Sequence, residues 1–210
     1  MSVSGMNTKP HSIRSICVYC GSQPGSNPAY RTAAQTLGAS MAKHGIDLVY
    51  GGGTRGIMGA VAESVMAAGG KAIGIIPEFL MDKEASRQEL GSLSELHVTT
   101  DMHQRKHMMF ERADAFVTLP GGIGTLEEIV EIMTWGQLGR HTKPMVFANV
   151  EGFWDPLNAL LGHMAQEGFI HTAHLVRPMV IDNVEDIVPA ILAANGSQNT
   201  GGETDLIAKL

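Results

Sequence analysis

Cysteine occurs only twice in the 210 residues, as Cys17 and Cys20. Their CxxC spacing is that of thioredoxin-like redox pairs, but CVYC lies in an apolar run rather than at a helix start. In a strand, residues three apart point to opposite faces, so two buried, reduced thiols are expected instead of a redox couple. Positive charge is also short: 15 basic against 21 acidic residues leave a net charge of −6 and a pI near 5.8. No Lys/Arg cluster exceeds Arg105-Lys106, which argues against a nucleic-acid partner and against an anionic membrane surface. No apolar run approaches the ~18 residues of a membrane span, and the N-terminal MSVSGMNTKPHSIRS lacks the apolar centre of a signal peptide. A soluble, cytoplasmic protein is expected. Charged residues make up 17% and hydrophobic ones 44%, a balance that excludes a disordered chain.

Glycine, by contrast, is abundant, at 25 residues, and without collagen periodicity it belongs to loops. Residues 1–14 and 195–210 are polar and without period, and read as tails around one globular domain, 15–194. Inside that domain short β-rich runs alternate with helical ones. SICVYC precedes a helix with Asn27 as N-cap and Pro28 at its first position. IDLVY leads through a glycine loop to the helix GIMGAVAESVMAAGG. KAIGIIP is followed by a polar excursion from Glu78 to Ser94, then by LHVTT and a helix from Met102 to Ala113. AFVTLP, a second glycine loop and a helix from Leu126 to Leu138 follow. KPMVFANV, a helix from Trp154 to Glu167, PMVID and a helix from Val184 to Ala194 complete the domain. Runs such as AFVTL are apolar on both faces. This pattern predicts an α/β fold, a Rossmann-like, doubly wound parallel sheet flanked by helices. Ligands of such sheets bind beyond the carboxyl ends of the strands, where both glycine loops fall.

The first loop runs from Gly51 to Gly59 and opens a helix, so its amides and the helix dipole are expected to form an anion site. Gly51, Gly53 and Gly56 also satisfy GxGxxG, with Glu78 about 20 residues beyond, so an NAD-binding dehydrogenase is an alternative. Against it, the loop follows the second strand rather than the first. The second loop, Pro120 to Thr125, repeats the strand, glycine loop and helix arrangement without Walker spacing. Two anion-binding turns at one sheet edge suggest a single small phosphorylated ligand, with Arg105 and Lys106 as cationic partners. Glu128 is the leading candidate for chemistry. Thr125-x-x-Glu128 also matches a capping box, in which that carboxylate would only bond a backbone amide. A non-catalytic nucleotide-binding protein therefore stays open at this point. His103 and His107 have helical i, i+4 spacing, but HQRKH lacks the glutamate of HExxH, and His171-x-x-His174 is only a pair. No metal site is expected from sets this small. The methionines at 41, 58, 66, 108, 109 and 133 read as helix-face core filler.

Taken together, DMHQRKHMM (Asp101 to Met109), LPGGIGTLEEIVEIMTWGQLG (Leu119 to Gly139), CGSQPG and GGGTRGIMG closely resemble the LOG family of cytokinin riboside 5′-monophosphate phosphoribohydrolases. The similarity covers about residues 15 to 190. The resemblance implies hydrolysis of the N-glycosidic bond of N6-substituted AMP to free base and ribose 5-phosphate, without a cofactor. A broader nucleoside 5′-monophosphate nucleosidase is the alternative within the same chemistry. The resemblance also implies Arg105 and Glu128 as the catalytic pair. Ser22, Gly53, Thr54, Gly56, Lys106, Gly121, Gly122, Gly124 and Thr125 match the family's nucleotide-binding motifs. A homodimer with the active site near its interface is implied too, and Trp135 and Leu138 could supply apolar surface for it. The lysine decarboxylase label carried by some members finds no support in these residues.

Overall fold

Strand β1 (Ser15–Tyr19) sends successive side chains to opposite faces of the sheet, and both faces bury them. Ile16 and Val18 pack into one apolar layer, Cys17 and Tyr19 into the other. A strand buried on both sides belongs at the centre of a parallel sheet, and β1 is found there. The computed structural model describes residues 12–85, 90, 91, 93–170 and 178–198. Among these, β1, β2 (Asp47–Tyr50), β3 (Ala72–Pro77), β4 (Glu95–Thr99), β5 (Ala115–Thr118), β6 (Met145–Ala148) and β7 (Met179–Ile181) form one sheet. Its order is β4-β3-β2-β1-β5-β6-β7, and every pairing is parallel. The expected doubly wound α/β fold is therefore present as a single domain.

Helices cover both faces. Helices α1 (Pro28–Lys43), α2 (Gly56–Ala67) and α7 (Ile187–Gln198) pack with Ile16, Val18 and Tyr50 on one side. Helices α4 (Met102–Arg112), α5 (Ile123–Gln137) and α6 (Asp155–Gln166) lie on the side of Cys17, Tyr19 and Phe116. Helix α1 starts as its sequence requires, with the Asn27 side chain accepting from the Ala29 amide at 2.9 Å and Pro28 at the first position. Cys17 and Cys20 are buried free thiols in opposite layers.

Several boundaries differ from the sequence reading, and the last helix starts at Ile187 after a 3-10 turn, Val184–Asp186. The segment after β3 is not wholly irregular, because Glu78–Glu84 forms a short helix, α3. Helix α5 begins at Ile123 rather than Leu126, and α7 continues through residues 195–198, which the pattern assigned to the tail. Residues 1–11 and 199–210 of the expected tails, and the pair His171 and His174, lie outside the described residues. Among the described residues no helix is long and apolar enough to cross a membrane.

The topology fixes where a ligand can enter. Strand β1 sits between β2 and β5, so the connections leaving β1 and β5 turn to opposite sides of the sheet and open a crevice beyond their carboxyl ends. The loops after β1, β2 and β5 converge there.

Candidate active site

Arg105 reaches the crevice from α4, whose start is set by Asp101. The Asp101 carboxylate accepts from the Gln104 amide at 2.9 Å, and the Gln104 side chain accepts from the Thr100 amide at 2.9 Å. With the helix started there, Arg105 and Met109 share its buried face. Arg105 is only 5% exposed. Its Nη2 donates to the Gly51 carbonyl at 3.3 Å, and Nη1 lies 3.7 Å from the Met102 sulfur. Nε, also buried, has no partner among the described residues. A buried guanidinium held this sparsely has donors to spare for a ligand.

Glu128 faces it from α5. The first turn of α5 has Gly122 as N-cap and no side-chain cap, so the Thr125-Glu128 capping box does not form. Thr125 is instead the third helical residue and buried. Thr125, Glu128, Ile129 and Ile132 occupy the core-facing stripe of the helix, which places a carboxylate where the helix otherwise buries apolar groups. Glu128 is 9% exposed, with Oε1 4.0 Å from Arg105 Nη2.

The two residues share a cleft of about 370 Å³, lined also by Ser22, Gly122, Gly124 and Thr125. The start of α5 thus forms one wall, with backbone and hydroxyl donors suited to an anion. Apolar groups from Met58, Leu80, Met102 and Met109 form another, so Met58 and Met109 serve the cleft as well as the core. Cys20 lines the cleft too; burial raises its thiol pKa, and the Glu128 charge adds to this, so the sulfur stays protonated.

The remaining residues expected at the site lie around this cleft rather than on its walls. The first glycine loop is partly engaged by the loop after β1. The Gly21 carbonyl accepts from the Ile57 and Met58 amides at 3.1 and 3.2 Å, so two of the donors at the start of α2 are already taken. Gly56 has φ +60°, and a β-carbon there would come within 2.5 Å of the Ser22 backbone, so this glycine locks the β1 and β2 loops together. Gly53 packs against Met58. Thr54 borders a second, smaller cavity on the other face of α2, beside Tyr50 and Glu63. Gly121 supports the cleft from behind, where a β-carbon would collide with Thr125 and with the Gly21 amide.

Lys106 is not among the residues lining the cleft, although its partner Glu127 is. Its ammonium bonds Glu127 at 2.6 Å and Glu131 at 3.2 Å. Burial alone would lower its pKa, but these two hydrogen-bonded carboxylates outweigh it and raise the pKa. Trp135 packs edge-on against Phe110, whereas Leu138 is 70% exposed. His103 and His107 are exposed, and among the described residues no group of three or more potential ligands could hold a metal ion.

Sequence reasoning passed over Gly51 as an Arg105 partner, and Met102 as well. The second was visible in the spacing, because Met102 and Arg105 are three apart on one helix.

A family model described as possible lysine decarboxylase matches residues 58–191. The chain is 44% identical over 184 residues to a probable cytokinin riboside 5′-monophosphate phosphoribohydrolase of Oryza sativa subsp. japonica, covering 84% of this chain and 80% of that protein. It is 44% identical over 170 residues to a cytokinin riboside 5′-monophosphate phosphoribohydrolase of Arabidopsis thaliana, covering 81% of this chain and 78% of that one. Among solved structures, the molybdenum cofactor binding protein of Rippkaea orientalis superposes with a TM-score of 0.63 at 21% identity, over 87% of this chain and 97% of that chain. The molybdenum cofactor carrier protein of Chlamydomonas reinhardtii gives 0.62 at 21% identity, over 86% and 99%. At that identity the two carriers share the fold alone. The family model and the close relatives, both spanning most of this domain, settle the assignment: the chain belongs to the LOG family.

Proposed function

We propose that this protein hydrolyses the N-glycosidic bond of nucleoside 5′-monophosphates, releasing the free base and ribose 5-phosphate, with N6-substituted AMP as its substrate class. The observation that carries this reading is the buried Arg105 guanidinium 4.0 Å from the Glu128 carboxylate, in a cleft whose wall is the uncapped start of α5. Cleavage passes through an oxocarbenium-like state. An ionised Glu128 stabilises that positive charge and positions the attacking water or the ribose hydroxyls. Arg105 stays charged throughout, so it orients Glu128 and binds substrate rather than acting as an acid. Ser22, Gly122, Gly124 and Thr125 hold the sugar phosphate, while Gly53, Gly56 and Gly121 shape the loops beneath it. The apolar wall of Met58, Leu80, Met102 and Met109 receives the base. The protein acts in the cytoplasm as a homodimer, to which the exposed Leu138 contributes apolar surface.

The description possible lysine decarboxylase does not fit the site. A pyridoxal enzyme needs a lysine for its Schiff base, and among the described residues none lines the cleft. Lys106, beside Arg105 in sequence, is engaged by two glutamates.

The test is product analysis over isopentenyl-AMP, AMP, other nucleoside 5′-monophosphates and the matching nucleosides. Base and ribose 5-phosphate should form from the 5′-monophosphates and scarcely from the nucleosides, because phosphate contacts hold the sugar in reactive geometry. Equal kcat/KM for nucleotide and nucleoside would overturn the phosphate requirement. CO2 release from lysine would overturn the reaction itself.

A further inference from the structure

Arg105 and Glu128 each have an immediate chain neighbour of the same charge, and those neighbours also meet. Lys106 Nζ lies 2.6 Å from Glu127 Oε1 and 3.2 Å from Glu131 Oε1. Helices α4 and α5 are thus joined by two ionic couples at adjacent positions. The outer couple is closed, and the inner one stands open at 4.0 Å. The outer lysine is also unusual in its burial, with its side chain only 11% exposed. Ordering so long a side chain costs conformational entropy that a solvated lysine keeps.

Deepening the hydrolase reading and resting on it, we infer that Lys106, Glu127 and Glu131 form an ionic clamp that sets the spacing of Arg105 from Glu128. Among the described residues the guanidinium itself is lightly held, by one carbonyl at 3.3 Å and one thioether at 3.7 Å, with Nε unpartnered. These contacts fix it relative to β2 and to its own helix, but not relative to α5. Aromatic packing between Phe110 and Trp135 ties the two helices further along, away from the cleft. Near the cleft, the Lys106 bridge links residues next in sequence to both members of the catalytic pair. Were α4 to close on α5, a direct ion pair would neutralise the carboxylate that must face the oxocarbenium ion. Were it to open, the pair would lose alignment with the sugar. Lys106 is accordingly a positioning residue here, not a phosphate ligand.

The two roles separate in a variant that leaves Lys106 in place. The Glu127→Gln/Glu131→Gln double variant removes the clamp's anions and Lys106→Met removes its cation; because Glu127 also lines the cleft, Glu131→Gln alone, off its walls, must change kcat in the same direction. Clamping predicts that both lower kcat about tenfold or more with KM within about threefold, since displacement of aligned groups is felt in turnover. Combining the three changes should add little, because each breaks the same unit. Lys106→Arg should restore most of kcat. A readout that needs no turnover is the Arg105 Nε–H resonance in 15N NMR, assigned by its loss in Arg105→Lys. It should shift or broaden in the double variant while circular dichroism stays native. Wild-type kcat and an unmoved Arg105 signal in the double variant would overturn the clamp. So would a large rise in KM confined to Lys106→Met, which marks a phosphate contact. If wild-type protein released no base from any 5′-monophosphate, the proposed function would fail, and the NMR arm would still decide the clamp.

Discussion

Replacing Gly51 by alanine tests how the guanidinium is placed, because the β-carbon it adds would fall on Arg105 Nη2. Gly51 is not among the glycines with positive φ, so alanine fits the backbone and the nearest conflicts are with that side chain and the nearby Met58 sulfur, 3.3 Å away. Arg105 must then leave the Gly51 carbonyl, forfeiting a hydrogen bond from a charged donor worth about 1.5–3 kcal/mol. Glycine-to-alanine exchange at a compatible position returns about 0.4–1 kcal/mol through the unfolded chain. The net expectation is a loss of about 1–2 kcal/mol in urea unfolding, small enough to leave the protein folded. The effect on turnover should be larger. The guanidinium cannot clear the new methyl without moving on the order of 1 Å, and misplacement on that scale costs about 100-fold. Steady-state release of ribose 5-phosphate, measured beside urea denaturation, separates the two. A Gly51→Ala protein with native stability and kcat within about threefold of wild type would refute the placement of Arg105 by this carbonyl.

Glu128→Gln should lower kcat at least ~100-fold while changing stability by about 1 kcal/mol or less, and a folded variant keeping more than about a tenth of wild-type kcat would refute its electrostatic role. Asn149→Ala should cost on the order of 3 kcal/mol in thermal or chemical unfolding. Buried Asn149 donates to Asp155 at 2.9 Å and Asp182 at 2.8 Å and accepts from the Trp154 amide at 2.8 Å, joining β6 to the turn before α6 and the end of β7. His141 should make stability fall with acid: burial lowers its pKa, and the nearby Lys143 charge lowers it further against the bond to Ile132. The unfolded chain takes up a proton at this ring near pH 6.5 that the folded chain resists, so stability is full above that pH and declines below it. His141→Gln should flatten that decline in urea midpoints between about pH 7 and 5, and an unchanged slope would refute the assignment.

The sheet and most helices were legible because their signals are local. Apolar runs such as AFVTL need two covered faces, and Asn27-Pro28 starts a helix wherever the chain goes next. Helix α3 escaped notice because EFLMDKE is too short to show a period and too polar to stand out. The start of α5 escaped for a different reason. Cap preference ranks threonine with or above glycine, so Thr125 looked like the boundary. The packing of Thr125 against Gly121, and of Gly121 against the β1 loop, places the boundary at Gly122 instead. The bracing of the first loop was illegible in principle. Two amides at the start of α2 are taken by Gly21, a residue some 36 positions earlier in the chain, and only the β2-β1-β5 strand order brings the two together.

That missing capping box also decides what Glu128 is for. As a cap, the carboxylate would sit at the solvent-facing end of a helix and its charge would be cheap. Found on the buried stripe of α5, it carries a desolvation cost, and so does the guanidinium opposite. At 4.0 Å the two gain less from each other than a direct, bidentate pair would, and apolar residues of similar volume would serve stability at least as well. Two buried charges facing a cleft, at the point where the strand order reverses, make sense when a third charge distribution comes between them. A phosphorylated sugar developing positive charge at its anomeric carbon is such a distribution, with its anion at the start of α5 and its cation toward Glu128.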